Sequence, residues 1–343
     1  MTTVLLDKNK SFRKDSGIQN FHDAGYYGER VTAATGEPYK VSAYNPDGLV
    51  IDGVNSITTM EHAVQCAATF FQVAPKSKLV TLNNNSGAMY GNGTYKSLFF
   101  TECADVIEKY NILNMYNSFT TDANASYLND LNTYLKNNPQ FKQFWSAGND
   151  STKSYNKVLQ ATETIGVAAY EWASSGSYKP ANFSSVSEYV DFIAPSGIYV
   201  NISNNEVVVH GTSFSAPWLC GMACLVDDFF IDKTGKPLTR EMMIQFFKDH
   251  SVDMGDKGFD SKCGFGKVVL PKLSEIDVNK YRSDDVLEKF KDANKVASWA
   301  TASVEYCLSK GYMNGKGATF DPKGIVTREE MACLIERIVK SIK

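Results

Sequence analysis

From residue 78 onward, short runs of β-branched and apolar residues alternate with stretches long enough to hold helices. The runs are Lys78-Leu-Val-Thr-Leu82, Ile112-Leu-Asn-Met115 and Thr164-Ile-Gly-Val-Ala168. A chain that alternates in this way buries its strands most readily in a parallel sheet covered by helices on its faces, which predicts an α/β fold. Two helix starts are written locally. Thr58 stands three residues before Glu61, a capping-box pattern, and His62-Ala-Val-Gln-Cys-Ala-Ala-Thr-Phe-Phe71 follows at helical spacing. Gly211-Thr-Ser-Phe-Ser-Ala-Pro217 precedes an apolar run to Phe230, so a second helix is predicted from about Ser213.

With 43% hydrophobic residues the chain can bury a large core, and its length suits one large domain plus a small one. After Pro271 the composition turns charged, then two amphipathic patterns follow at about 297–309 and 327–342. The predicted division is a first domain over 1–273, a linker over 274–288 and a small helical module over 289–343. Thirty-five Lys and Arg against 38 Asp and Glu, a net charge of −3, leave no electrostatic footprint for nucleic acid. No run reaches the roughly 18 apolar residues of a membrane span, and Met1-Thr-Thr-Val-Leu-Leu-Asp7 is too short in apolar residues for a secretory signal. The chain as given is therefore expected in the cytoplasm, or at the cell surface if it is a processed form. Seven scattered cysteines without a Cys-x-x-Cys pair read as reduced thiols, with Cys220 and Cys224 in the core. Asp227-Asp228 and Asp284-Asp285 lack the spacing of a calcium loop and read as solvated faces, so no metal and no cofactor is expected.

Serine nucleophiles need a fixed hydroxyl, a base, a group to orient the base, and donors for the oxyanion. His210-Gly-Thr-Ser213 places a serine at a helix N-terminus, where free N–H groups favour developing negative charge. A serine there is usually only a cap. The longer string Gly211-Thr-Ser-Phe-Ser-Ala-Pro217, however, resembles the nucleophile motif of the subtilisin-like serine proteases. Trp145-Ser-Ala-Gly-Asn149, Ala181-Asn-Phe-Ser-Ser-Val186, Val190-Asp-Phe-Ile-Ala-Pro195 and Gly264-Phe-Gly266 are similar to other segments of that family, in its order. The resemblance runs from about 58 to 271. It implies a subtilisin-like three-layer fold, a mainly parallel central sheet, and hydrolysis of peptide bonds through an acyl-enzyme.

On this resemblance Ser213 is the nucleophile, Asn149 the oxyanion donor and His62 the base. His62-Ala-Val-Gln-Cys-Ala-Ala-Thr69 departs from the family's His-Gly-Thr-His-Val-Ala-Gly-Thr at Ala63 and Gln65. His22, His210 and His250 read as structural or exposed. The orienting acid ends the first central strand in this family. Thr3-Val-Leu-Leu-Asp7 is apolar enough for such a strand but lacks the Ser/Thr-Gly that usually follows; Asp7 leads on that ground. Asp15 has Ser-Gly after it but would bury Arg13 and Lys14, and Asp52 lies only ten positions before His62. Asn114-Met-Tyr-Asn-Ser-Phe119 stands where the family pairs with extended substrate, giving Asn114, Tyr116 and Ser118 as expected substrate contacts.

Phe290-Lys-Asp292, Ser298-Trp-Ala300, Lys310-Gly-Tyr-Met-Asn-Gly315, Phe320-Asp-Pro322 and Val326-Thr-Arg-Glu-Glu-Met-Ala332 resemble one S-layer homology unit. Such units bind acidic cell-wall polysaccharide, commonly in threes; with one unit here, this polysaccharide is the implied partner beside a protein or peptide substrate, and docking or oligomerisation through the helix pair stays open as the alternative. Arg328 is the expected anion contact. The altered positions near His62 and at 118–119 keep a second reading open: an impaired scaffold that binds peptide or cell wall without cleaving.

Overall fold

A computed structural model describes residues 5–37, 50–52, 61–82, 104, 106–120, 123–151, 156–172, 177–202, 205–281, 287, 289–309 and 311–341. Two compact units are present, Met1–Val278 and Asn279–Lys343. The first opens with two short helices, α1 (Lys10–Asp15) and α2 (Ile18–Asp23). Then come β1 (Thr32–Thr35), β2 (Val50–Asp52), α3 (Glu61–Phe71), β3 (Lys78–Thr81), β4 (Ile112–Asn117), α4 (Ala125–Asn137), β5 (Lys142–Ser146) and β6 (Ile165–Trp172). The unit continues through β7 (Tyr178–Pro180), β8 (Phe192–Pro195), β9 (Ile198–Ile202), β10 (Asn205–Val209), α5 (Thr212–Thr234), α6 (Arg240–Asp249), β11 (Ser251–Val252) and β12 (Lys267–Val268).

The main sheet runs β11-β12-β8-β6-β5-β4-β1-β3-β2, with β7 beside β6. From β2 to β12 its neighbours are parallel; only β7 and β11 pair antiparallel. β4 and β5 lie at its centre and are buried at every position, as strands covered on both faces must be. The α/β fold predicted from the alternation is the one observed. The capping stretch proposed before α3 lies outside the described residues.

α5 is the helix that the sheet wraps. It is long and apolar enough to cross a membrane by length and composition, yet it is buried against the sheet over nearly its whole length. Two of its three acids, Asp227 and Asp228, expected on a solvated face, are instead fully buried. Asp227 meets Lys142 of β5 at 3.1 Å and accepts from Asn114 of β4 at 2.7 Å, so an ion pair and a hydrogen bond tie α5 to the two central strands. Asp228 accepts the Gly28 N–H at 2.9 Å and pairs with Arg30 at 2.9 Å. Each carboxylate is met inside by a cation and by donors, and burial raises Asp227 above its ordinary value against the opposing pull of Lys142.

The second unit holds α7 (Ser298–Ser309) and α8 (Arg328–Ser341). Leu287, Phe290, Leu308 and Phe320 form its core, and Asp292 ties two segments by accepting from the N–H groups of Phe320 at 2.7 Å and Asp321 at 2.9 Å. Trp299, Ile335 and Val339 are exposed.

Candidate active site

Parallel sheets present their chemistry at the carboxyl ends of the strands. Three such ends converge here. β1 runs into Gly36-Glu37, β4 into Ser118, and β5 into Ala147-Gly148-Asn149. The glycines let the chain leave the sheet; Gly148 has φ 113°.

Glu37 is fixed by its backbone: its N–H donates to Thr35 Oγ1 at 3.2 Å, and its carbonyl accepts from Thr81 Oγ1 at 2.8 Å. Its carboxylate is almost wholly buried and meets His62 Nδ1 at 2.6 Å. His62 lies in the first turn of α3 and its ring is partly open to solvent. The hydrogen bond it donates to Glu37 raises the imidazole above its ordinary value, against the opposing effect of burial. Oε2, the other oxygen of Glu37, is buried with no hydrogen-bond donor among the described residues.

The start of α5 is tied to the β5 turn. Thr212 donates to Asn149 Oδ1 twice, from its backbone N at 2.9 Å and its hydroxyl at 3.0 Å. With Oδ1 committed, the Asn149 amide nitrogen is the end left to donate. Gly211, at φ 134°, makes the entry turn; its own N–H donates to Ser196 Oγ at 2.9 Å. Pro217 lies one turn inside α5 and has no N–H for the carbonyl of Ser213, four residues back. That carbonyl is satisfied from outside the helix, by Ser118 Oγ at 2.7 Å and the Cys66 thiol at 3.3 Å. The Ser213 hydroxyl donates in turn to the carbonyl of Ser118 at 3.2 Å.

Cys66 joins the two halves of the site. One turn beyond His62 on α3, its sulfur lies 3.8 Å from Nδ1 and 3.9 Å from Nε2. Phe214 stands against the same imidazole, ring centres 5.7 Å apart. His62, Asn149 and Ser213 thus come from three separate elements into one locality. The nucleophile candidate bonds Ser118 rather than the imidazole in this conformation.

Other expected residues lie elsewhere. Asp7 does not end a strand: it opens a one-turn 3₁₀ helix (Asp7–Asn9), is exposed, and the carboxylate on His62 is that of Glu37. The physical reason is that β1, a strand of small residues paired on both sides, takes the central place expected for residues 3–7. Asp15 ends α1 and accepts from the Tyr178 hydroxyl, while Asp52 ends the edge strand β2. Asn114 and Tyr116 do not face a substrate groove. β4 is paired on both sides, the Asn114 amide is spent on Asp227, and Tyr116 packs on Phe70 with ring centres 5.8 Å apart. Of the three β4 residues only Ser118, just past the strand, reaches the site.

Glu37 and Cys66 were not singled out from sequence. Cys66 could have been, since a residue four after the base lies on the same face of a helix. Glu37 follows Thr35-Gly36, the dipeptide sought after an aspartate, but Ala34 occupies the position before it.

Comparison with known proteins gives the family and the fold. A family model described as the subtilase family matches residues 50–266, and a second, the S-layer homology domain, matches 289–332. No curated protein sequence matches. Among solved structures, the prenylagaramide maturation protease PagA is 17% identical with a TM-score of 0.59, covering 74% of this chain and 95% of its own. A lanthipeptide protease is 14% identical with a TM-score of 0.61, over 77% and 94%. Fervidolysin from Fervidobacterium pennivorans, a keratinolytic enzyme related to subtilisin, is 17% identical with a TM-score of 0.60, over 74% and 44%.

Proposed function

The chain belongs to the subtilase family of serine proteases, and from that premise we propose that it is a serine endopeptidase acting through Ser213, His62 and Glu37. The observation that carries this reading is the 2.6 Å pair between Glu37 and His62, held beside the start of the helix that bears Ser213. Glu37 replaces Asp7 as the orienting acid.

In this mechanism the Ser213 hydroxyl turns from the Ser118 carbonyl to His62 Nε2, gives up its proton, and attacks the scissile carbonyl. Glu37 holds the other ring nitrogen as the donor, which fixes the tautomer with Nε2 unprotonated and stabilises the imidazolium that forms. Asn149 Nδ2 and the Ser213 backbone N–H receive the tetrahedral oxyanion. The imidazolium then protonates the leaving amine, and water repeats the sequence on the acyl-enzyme.

The S-layer homology module supports cell-wall polysaccharide as a second partner, with Arg328 as its anion contact. A second reading, an inert binding scaffold, is favoured by one observation only, the bond from Ser213 to Ser118. A serine-directed fluorophosphonate separates the two. Covalent labelling that disappears in Ser213→Ala and slows strongly in His62→Ala supports the peptidase. A folded chain that never labels and leaves peptide substrates intact removes it.

A further inference from the structure

The geometry points to a second use of the base: Glu37, His62 and Cys66 form an inhibitory binding site for a zinc-class divalent cation. This rests on the reading of His62 as the catalytic base and adds a control over it.

The three side chains bring a carboxylate, an imidazole and a thiol together, with one candidate donor atom from each lying within 4.8 Å of the others. That mixed set of oxygen, nitrogen and sulfur suits zinc or cadmium better than calcium or magnesium, which take oxygen. Zinc bonds of about 2.3 Å to sulfur and 2.0–2.1 Å to nitrogen put tetrahedral ligand atoms roughly 3.5 Å apart. The sulfur already stands at 3.8 and 3.9 Å from the two ring nitrogens. The contact from Glu37 Oε1 to Nδ1, at 2.6 Å, is the one that must open.

The independent sign of a ligand is Glu37 Oε2. A buried carboxylate oxygen with no donor among the described residues is costly, and a cation would satisfy it. Cys66 is fully buried, and its thiol donates to the Ser213 carbonyl; on binding, the thiol proton leaves to solvent and Ser118 Oγ continues to hold that carbonyl. His62 is the partly exposed member, which gives the ion its way in and leaves a fourth position for water. Coordination through the imidazole removes the proton acceptor, so the metal-bound enzyme is inactive.

The test uses the full chain. Cadmium is titrated into Ser213→Ala, which retains all three donors, and sulfur-to-cadmium charge-transfer absorption is followed. A saturable band at one equivalent is expected. It should be lost in Ser213→Ala/Cys66→Val, which exchanges the thiol for an apolar side chain one methyl larger, and weakened about tenfold or more in affinity by Glu37→Gln. Zinc should compete for the site and, on the wild type, inhibit fluorophosphonate labelling reversibly, with chelator restoring it. A band that survives in Cys66→Val, assigning it to another thiol such as the exposed Cys333, overturns the site, as does no band at all. Because the titration reads binding in a chain without its nucleophile, it succeeds or fails independently of peptidase activity. Metal-free thermal melts of each variant identify any that fail to fold, and Cys66→Ser then takes the place of Cys66→Val.

Discussion

Glu37 reaches Nδ1 of His62 from two residues beyond the end of a strand whose own residues are all small. In Val31-Thr-Ala-Ala-Thr-Gly-Glu37 the place before Thr35-Gly36 is held by Ala34, and the carboxylate comes from a longer side chain further on. The extra methylene of glutamate spans part of that added distance, and the bonds from Thr35 and Thr81 keep the backbone from drifting.

Replacing Glu37 with glutamine should lower kcat by roughly 10²–10⁴-fold with a smaller change in KM, because a neutral amide neither fixes the tautomer nor stabilises the imidazolium. The wild-type profile of kcat/KM should rise with pH through a midpoint above the ordinary histidine value of 6.5. In Glu37→Gln that midpoint should fall. The pair also links to stability. A histidine raised in the folded state contributes stabilisation that is complete below about 6.5 and disappears as pH climbs through the folded value. With the ring 39% exposed, this amounts to under about 1 kcal/mol. A profile that Glu37→Gln leaves in place would remove Glu37 from the site.

Asn149→Ala should lower kcat by about 10²–10³-fold and leave KM within a few-fold, since the amide acts on the oxyanion and not on bound substrate. Thr212→Val should cost less, because the Thr212 N–H still holds Oδ1 after its hydroxyl is gone. Gly211→Ala tests the turn itself: φ 134° strains any side chain, and the new Cβ would stand 3.4 Å from Asn149 Nδ2. Steady-state kinetics of the three variants should rank Thr212→Val as the mildest. Equal losses in kcat and 1/KM for Asn149→Ala would contradict a transition-state role.

The parts of this site that could be read from sequence are those whose signal is contiguous. Ser213 and its helix are written in one string from Gly211 to Pro217, and Asn149 in another after β5. Apolar character as the mark of a central strand favours Thr3-Val-Leu-Leu over Thr32-Ala-Ala-Thr, and so points to Asp7 and away from the carboxylate that meets His62. β1 needs no large side chains, since neighbouring strands hold it on both edges. The place of Asn114 is illegible for a related reason. Its partner Asp227 lies 113 residues away on another element, and no local pattern reports such a pairing.

That distant pairing predicts a stability effect. Asp227→Ala leaves the Lys142 ammonium wholly buried without its counter-charge and strips the acceptor from Asn114 and from the Leu238 N–H. A loss of about 3–5 kcal/mol is expected, read as a lower midpoint in urea. Changing both partners, Lys142→Met with Asp227→Leu, should recover much of it, because the desolvated charges go together. If the double variant is no more stable than Asp227→Ala, the cost lies in the helix packing and not in the stranded cation.

In the C-terminal unit the carboxylate of Asp292 accepts from two successive backbone amides, Phe320 and Asp321, and so pins the segment that carries a core phenylalanine. The Phe320 bond above all holds this carboxyl below its ordinary value of 3.8. A depressed acid stabilises above its unfolded value and loses that contribution as pH falls through the folded one, so the unit should loosen only below about pH 4. An asparagine in its place would offer one acceptor oxygen where two are used; Asp292→Asn should therefore speed hydrogen exchange at the Phe320 and Asp321 amides at neutral pH, leaving exchange in β4 and β5 unchanged. Protection at both amides equal to that of the wild type would mean that the surrounding apolar cluster, and not this carboxylate, holds the segment in place.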